Sequence, residues 1–349
     1  MPPRSSSAAN LRGVGTPLIL FVAGLIACGE QTPAARPVEQ RAEQVTVAAG
    51  TIGREPLGAL PEAPKLDPKI VALGRRLFHE PRLSVDDKVA CSSCHDLANG
   101  GDDGRARPVG VGGKLGLVNA PTVYNAALNF VQFWDGRAAT LEDQINGPLT
   151  NPLEMGSNWE QVVEKLRRDA TYASAFAAAY PDGLTSDNVR RSIADFERTL
   201  ITRGSAFDRW LEGDEAALSS QARTGYETFK AVGCIACHQG QNVGGNMFQR
   251  FGVLGDYFKD RGAVTDADYG RYNVTHDEAD RYVFRVPSLR NVEYTGPYFH
   301  DASAATLPAA VQVMARYQLG RKLSPEQLDA IIAFLKSLSS PMAAAGVNG

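Results

Sequence analysis

The chain has 349 residues, of which 44% are hydrophobic and 21% are charged, and its formal net charge is −3. This length accommodates two domains, each with a sizeable hydrophobic core. The slightly acidic balance excludes a polybasic protein that binds nucleic acid, and the composition is that of an ordinary globular protein.

Residues 1–27 have the features of an export signal. Arg4 and Arg12 make the start positive, and the apolar run from Thr16 to Ala27 is too short to span a bilayer. A Leu-Ile-Ala-Cys sequence ends the run at Cys28 and resembles the lipobox of bacterial lipoproteins, whose cysteine is acylated. We therefore expect a lipoprotein-type signal peptide, a lipidated Cys28 that tethers the chain to a membrane, and a periplasmic location. The alternative is an ordinary secretory signal with an incidental cysteine.

The next segment, residues 28–65, is rich in Ala, Pro, Glu, Gln and Gly and has no sustained apolar period, which predicts a flexible tether. The sequence beyond it predicts a mainly α fold. Asp67-Pro68 is typical of a helix start, a second helix is expected from Ser186, and Ser324 to Gln327 form a capping box before a third.

Two copies of Cys-x-x-Cys-His follow in chain order, Cys91-Ser-Ser-Cys94-His95 and Cys234-Ile-Ala-Cys237-His238. This pattern is the attachment signature of c-type haem. The two thiols add to the haem vinyl groups, and the histidine reaches the iron as an axial ligand. A zinc site split between the motifs and a thioredoxin-like redox pair are the alternatives, but neither requires histidine directly after the second cysteine.

A faint internal duplication surrounds the motifs. Gly74-Arg-Arg-Leu-Phe78 precedes the first motif, and Gly225-Tyr-Glu-Thr-Phe229 precedes the second. The simplest interpretation is two cytochrome-c-like haem domains packed around an inter-haem interface. We place the N-terminal haem domain at residues 66–210 and the C-terminal haem domain at residues 211–349.

The residue opposite each haem-binding histidine decides the chemistry, because an iron with two strong protein ligands only transfers electrons, whereas an open iron binds peroxide or dioxygen. Single residues do not settle this question. The candidates are the remaining histidines and the internal methionines: His79, His276, His300, Met155, Met247, Met314 and Met342.

Longer sequence blocks resemble the bacterial diheme cytochrome c peroxidase family, which includes the MauG-type maturation enzymes. The blocks occur in family order between residues 66 and 340. They are Asn119 to Val123, Phe133 to Ala138, Asn151 to Met155, Val286 to Asn291, Pro297 to His300 and Met314 to Gly320.

This resemblance implies a role for each haem. The C-terminal haem would have a high potential, with Met314 opposite His238, since a thioether favours ferrous iron. Met247 is the weaker candidate for this position. MauG-type enzymes have a tyrosine as this ligand, and Tyr317 lies three residues away from the matching position.

The N-terminal haem would be the peroxide site of the family. The resemblance assigns Glu154 as the acid–base group, Gln144 as the pocket amide and Trp134 as the residue between the haems. A carboxylate beside the iron can take a proton from one peroxide oxygen and deliver it to the other. Without the resemblance, Glu154 would be interpreted as a loop carboxylate and Trp134 as a core residue.

The resemblance further implies a calcium ion between the haems, held by Asn119, Thr295 and Pro297, and a homodimer. Many family members have a histidine that blocks the peroxide face until the other haem is reduced. The corresponding residue here is Val111, and no histidine occurs between His95 and His238. We therefore predict an N-terminal haem whose distal face is permanently open.

Three functions remain under comparison. The first is a peroxidase that takes electrons from a small cytochrome c or cupredoxin. The second is a MauG-like enzyme that oxidises tryptophan or tyrosine on a partner protein, which Val111 favours and Met314 disfavours. The third is an electron-transfer cytochrome without chemistry of its own.

Overall fold

The computed structural model describes residues 55–340, so that the predicted signal peptide and Cys28 lie outside the described residues. The described part is mostly helical, as the sequence predicts. Its α-helices are α1 (Pro68–Phe78), α2 (Leu141–Thr150), α3 (Trp159–Arg167), α4 (Ala170–Ala179), α5 (Ser186–Arg198), α6 (Ala206–Leu211), α7 (Ser220–Val232), α8 (Tyr257–Arg261), α9 (Tyr272–Thr275), α10 (Leu307–Val313) and α11 (Pro325–Ser337). A π-helical turn, Met314–Gln318, continues α10.

The described strands form one small sheet. β1 (Phe248–Arg250) pairs antiparallel with β2 (Val283–Arg285), and Phe248 is opposite Arg285. Short 3₁₀ turns, Cys91–Ser93 and Cys234–Ala236, carry the first three positions of each Cys-x-x-Cys-His motif. No helix among residues 55–340 is both long and apolar enough to cross a membrane.

The helix starts follow the local capping signals. Asp67 accepts a hydrogen bond from the Lys69 amide at 2.8 Å and caps α1. Ser324 and Gln327 form the predicted capping box of α11. Thr185, one residue before the predicted start, caps α5 because its hydroxyl accepts from the Asn188 amide.

The internal duplication is visible as two equivalent helix pairs. A Cβ on Gly74 of α1 would lie 1.8 Å from the Ser192 carbonyl oxygen of α5. A Cβ on Gly225 of α7 would lie at the same 1.8 Å from the Ala330 carbonyl oxygen of α11. Each glycine therefore lets the helix that leads into a Cys-x-x-Cys-His motif touch the backbone of the last helix of its half.

Each helix pair belongs to a separate hydrophobic core. The first core is built from residues between Ile70 and Leu200, and the second from Leu57 and residues between Phe207 and Leu338. Aromatic contacts repeat the pattern, since Phe78 meets Phe196 at 5.4 Å and Phe229 meets Phe334 at 5.1 Å. The two separate cores, each built around one helix pair, are the physical basis of the two-domain architecture expected from the sequence.

A buried polar network joins the two halves. The Thr202 hydroxyl accepts hydrogen bonds from the side-chain amides of Asn125 and Asn291, each at 2.8 Å. Asn242 reaches the Asn129 side chain at 2.9 Å. Because part of the hydrogen bonding of these buried amides crosses the interface, they help to fix how the halves pack.

The prediction of a flexible tether is wrong for the end of residues 28–65. Leu57 and Leu60 are 3% and 2% exposed, and the Gly58 amide donates to the Gly240 carbonyl. Two apolar side chains at this spacing are enough to bury a short segment that composition alone describes as tether.

An ion pair between Arg290 and Asp208 anchors this segment. The two side chains are fully buried, with Nη1 and Oδ1 2.8 Å apart. The remaining Arg290 nitrogens donate to the carbonyls of Gly58 and Gln241, and Asp208 accepts from the Leu60 amide. The pair therefore joins residues 58–60 to the second half of the chain.

Replacement of Asp208 by asparagine should destabilise the protein by about 3–5 kcal/mol, because it leaves a buried guanidinium without a counter-charge. Glu212→Gln is the matched control. It breaks an exposed pair with Arg203 and should change the free energy of unfolding by less than about 1 kcal/mol. Denaturant unfolding of both holo-proteins measures the difference, and equal stabilities would contradict the anchoring role.

Candidate active site and haem pockets

The histidine of each motif is oriented by a backbone carbonyl. His95 Nδ1 donates to the Gly101 carbonyl at 3.2 Å, and His238 Nδ1 donates to the Val243 carbonyl at 3.3 Å. Nε2 is thereby left available as a metal ligand. Burial lowers the pKa of His95 and lowers that of His238 to about 4, so both rings are neutral, as iron ligation requires.

The motif cysteines carry free thiols in an apolar environment. Burial raises the pKa of Cys91 to about 12 and the pKa values of Cys94 and Cys234 to about 11. A thioredoxin-like pair needs the opposite shift, because its reactive thiol is a stabilised thiolate. The thiols fit thioether formation with a haem instead.

A zinc site split between the motifs is also absent from residues 55–340. Ligand atoms of the motif residues do not gather into a group of three or more there, and the group that does form is Asp268, His300 and Asp301. Arg261 pairs with both aspartates of that group, and His300 Nε2 hydrogen-bonds Asp268 at 2.8 Å. His300 lines the cavity next to the second motif, but its Nε2 is engaged by Asp268.

A large cavity adjoins the second motif. Cys234, Cys237 and His238 line it, and Met314 lines it as well. The rest of this part of the wall is mainly apolar: Phe229, Val232, Leu289, Val311, Leu319 and Leu335. Two thiols, a neutral imidazole and a thioether around an apolar cavity fit a haem held by both covalent and axial bonds.

Met155, Met247 and Tyr317 do not line this cavity. Met155 is a buried part of the first core, and Met247 is not among the residues that line the described cavity. The Tyr317 hydroxyl donates to Asp260 at 3.0 Å outside the cavity wall. Met342 lies outside the described residues. These placements favour the prediction of Met314.

The charge of Glu154 contributes to the raised pKa of the Cys94 thiol in the first motif. Glu154 follows α2, whose end at Thr150 is capped by Asn151. The Asn151 side-chain amide donates to Glu154 Oε1 at 2.6 Å. Burial raises the pKa of Glu154, while the Asn151 hydrogen bond and the Arg137 charge act in the opposite direction. A carboxyl with a raised pKa in a fixed position suits proton transfer.

The loop with Val111 packs directly on this acid. The Val111 amide donates to the Glu154 carbonyl at 2.8 Å, and the Val111 side chain is buried. A Cβ on Gly110 would lie 2.1 Å from the Leu153 carbonyl oxygen. The close approach explains why glycine stands at position 110.

Gln144 is less well defined as a pocket residue. It is half-buried on α2, and its side chain forms no hydrogen bond within the described structure. The structure therefore brings Glu154 and Asn151 together but does not join Gln144 to them. The role predicted for Gln144 stays a prediction.

Trp134 lies in the wall of the cavity that contains His238. Its indole nitrogen donates to the Asn119 carbonyl at 3.0 Å. Asn119, Thr295 and Pro297, the predicted calcium ligands, line the same cavity. Amide and carbonyl oxygens in this arrangement fit a hard cation such as calcium.

Sequence reasoning missed three buried charged residues near the haem sites. Asp102 and Arg285 line the cavity, and burial raises the pKa of Asp102 to about 7 and lowers that of Arg285 to about 10. Glu197 of α5 is 5% exposed and acts on Cys91, and burial raises its pKa to about 8. Each stands alone in the sequence, so no spacing pattern could have revealed it.

The described fold and the two motif sites define a protein that carries two c-type haems. A family model described as di-haem cytochrome c peroxidase matches residues 68–216, and one described as cytochrome c matches residues 222–339.

Individual relatives give the same result. The cytochrome c peroxidase Ccp of Escherichia coli (strain K12) is 48% identical over 286 residues, which are 82% of this chain and 61% of that protein. The cytochrome c551 peroxidase of Nitrosomonas europaea is 43% identical over 286 residues, which are 82% of this chain and 84% of that protein. A solved MauG-like protein associated with microbial copper homeostasis is 28% identical with a TM-score of 0.71, covering 80% of this chain and 93% of that one. The chain therefore belongs to the di-haem cytochrome c peroxidase family.

Proposed function

We propose that this protein reduces hydrogen peroxide to water with electrons from a small cytochrome c or cupredoxin. The observation that carries the proposal is Glu154, a half-buried carboxyl that acts on the Cys94 thiol and that Asn151 holds in place. Relatives named as cytochrome c peroxidases at 43–48% identity support the same activity.

The haems, when bound, supply the redox chemistry, with peroxide bound at the first motif and electrons entering at the second. The first haem would be held by Cys91, Cys94 and His95. The second would be held by Cys234, Cys237, His238 and Met314. In the reaction, two electrons and two protons convert hydrogen peroxide into two water molecules. Glu154 would take the proton of one peroxide oxygen and deliver it to the other as the O–O bond breaks.

The residues between the motifs support electron transfer and charge compensation. Trp134 would stand between the haems, positioned by its hydrogen bond to the Asn119 carbonyl. The Arg285 guanidinium is buried in the cavity wall, and its one side-chain hydrogen bond in the described structure goes to the Phe133 carbonyl. It would meet a haem propionate, an anionic partner that a buried guanidinium requires.

The test uses purified holo-protein with a reduced small cytochrome c or cupredoxin. Addition of hydrogen peroxide should cause rapid oxidation of the donor, and the change in donor absorbance measures its rate. Donor oxidation no faster than without the protein, with both kinds of donor, would reject the proposal. Cyanide binding to one of the two haems separates this function from that of an electron-transfer cytochrome.

A MauG-like oxidation of a partner protein is the second candidate. The buried Val111, in place of a blocking histidine, favours it. Met314 in the cavity wall and Tyr317 outside it argue against it, because MauG-type enzymes use tyrosine as the ligand. Peroxide-dependent oxidation of a co-purifying exported protein, without a small donor, would support this alternative.

We further infer an exported protein, tethered to a membrane through a lipidated Cys28, that functions in the periplasm as a homodimer. The signal sequence and lipobox support export and lipidation. Detergent-phase partitioning of the full chain tests the anchor, and sedimentation of the holo-protein tests the dimer. We also infer a calcium ion at Asn119, Thr295 and Pro297.

A further inference from the structure

Asp102 is a buried acid without a partner. Its side chain is 1% exposed, and neither carboxylate oxygen has a hydrogen-bond partner in the described structure. Burial of a carboxylate without a hydrogen-bond donor or a counter-charge is strongly unfavourable, because the ion loses its hydration. A neutral carboxyl would not resolve this, since its hydroxyl would also need an acceptor. An ion that binds beside Asp102 would supply the partner that its carboxylate lacks.

The surroundings of Asp102 select a cation. The larger charge effect on Asp102 comes from the neighbouring acid Asp103, and the exposed Asp96 contributes less. The Gly104 amide acts on the carboxylate without reaching hydrogen-bond geometry. Like charges close together repel one another and attract a positive ion.

Three segments converge at this acid. Asp102, Asn119, Thr295 and Pro297 line one cavity. The Asn119 side-chain amide donates to the Arg105 carbonyl at 2.7 Å, so the loop that starts at Asp102 adjoins Asn119.

The turn before Thr295 lies against the same acid. A Cβ on Gly100 would lie 2.9 Å from the Tyr294 carbonyl oxygen and 3.3 Å from Asp102 Oδ1. The carboxylate therefore sits next to the backbone that leads into Thr295 and Pro297.

We propose that Asp102 is a further, anionic partner of the calcium ion between the haem sites, either as a direct ligand or through one bound water. The inference rests on the calcium site of the proposed function and adds a carboxylate to an amide and two backbone carbonyls. Calcium affinity rises with the number of charged ligands. The site of this protein should accordingly bind calcium more tightly than its neutral oxygens alone allow.

The experiment is calorimetric titration of calcium chloride into holo-protein stripped with a chelator. The native protein should show one tight site, and Asn119→Ala should lose it. Asp102→Asn should weaken it by at least about tenfold, because the variant keeps the shape and removes the charge. Asp96→Asn is the matched control: it removes an exposed charge from the same loop, retains the oxygen that accepts from the Ala98 amide, and should leave the affinity within about twofold.

Thermal unfolding provides a second readout that a structural role would not produce. Without calcium, Asp102→Asn should be at least as stable as the native protein, since the unpaired buried charge is gone. With calcium, the native protein should gain more stability than the variant. Should the asparagine variant not yield soluble holo-protein, Asp102→Ser enters the same titration.

Each contrary result has a distinct meaning. An unchanged affinity in Asp102→Asn, or an equal loss of stability with and without calcium, overturns the role of Asp102 alone. A native protein that binds no calcium overturns the calcium site together with this inference. Neither result bears on the proposed peroxide reduction, which the donor oxidation assay tests separately.

Discussion

Replacing Glu154 by glutamine should lower peroxide turnover by about 10²–10⁴-fold, the usual contribution of a positioned acid–base group. Glutamine keeps the length of the side chain and an oxygen that can accept from Asn151, so the local structure should persist. It cannot take a proton from peroxide at neutral pH. Steady-state donor oxidation measures the loss, and the absorbance spectrum of both haems verifies that the variant is intact.

The matched control for this change is Asp143→Asn, an equivalent substitution at an exposed position of α2. It should retain nearly full activity. If Glu154→Gln also retains it, proton transfer runs through another group and Glu154 has no part in the mechanism.

The pH dependence gives a separate test of Glu154. A group that takes a proton must be ionised, and burial raises the pKa of this carboxyl above the ordinary glutamate value. Activity should therefore fall on acidification at a higher pH than an exposed glutamate would cause. The residual activity of Glu154→Gln should lack this acidic limb. An identical limb in both proteins would assign it to a different group.

The parts of the site that the sequence predicted well are those with short-range patterns. Cys91 to His95 is contiguous, and the 3₁₀ turn at Cys91–Ser93 needs only local hydrogen bonds. The caps at Asp67 and Ser324 are equally local. Met314 and Glu154 are different, because only their place in longer family blocks distinguished them from other methionines and glutamates.

What the sequence could not reveal depends on contacts between distant segments. Asp102 and Arg285 look like ordinary surface charges until the fold buries them in one cavity wall. The composition of residues 55–60 predicts a flexible tether. In the structure, hydrogen bonds to Gly240 and Asp208 hold this segment, and Leu57 and Leu60 are buried. Burial of this kind is a tertiary property, and no window of neighbouring residues encodes it.

The oxidised native protein should show a high-spin ferric EPR signal from the first haem, because we expect no histidine among residues 55–340 to block it. Of the histidines outside the motifs, His79 and His276 are exposed and His300 is held by Asp268. Position 111, where many relatives carry the blocking histidine, holds valine, which has no lone pair to donate to iron. A purely low-spin spectrum of the native protein would contradict the open site.

The substitution Val111→His should restore the block. The Val111 amide anchors this loop to the Glu154 carbonyl. An imidazole at position 111 would therefore lie next to the acid–base residue. We expect the high-spin signal to diminish and the initial activity of the oxidised protein to fall by about tenfold or more, in proportion to the fraction of open sites. Prior reduction of the second haem should restore activity.

Lys114→His is the control for this experiment, since it places an imidazole at an exposed position of the same loop. It should keep both the high-spin signal and the activity of the oxidised protein. Because the two variants differ only in where the imidazole stands, they separate iron ligation from a general disturbance of the loop. Equal spectra in Val111→His and Lys114→His would show that position 111 does not face the iron, and the absence of a histidine there would then not explain an open site.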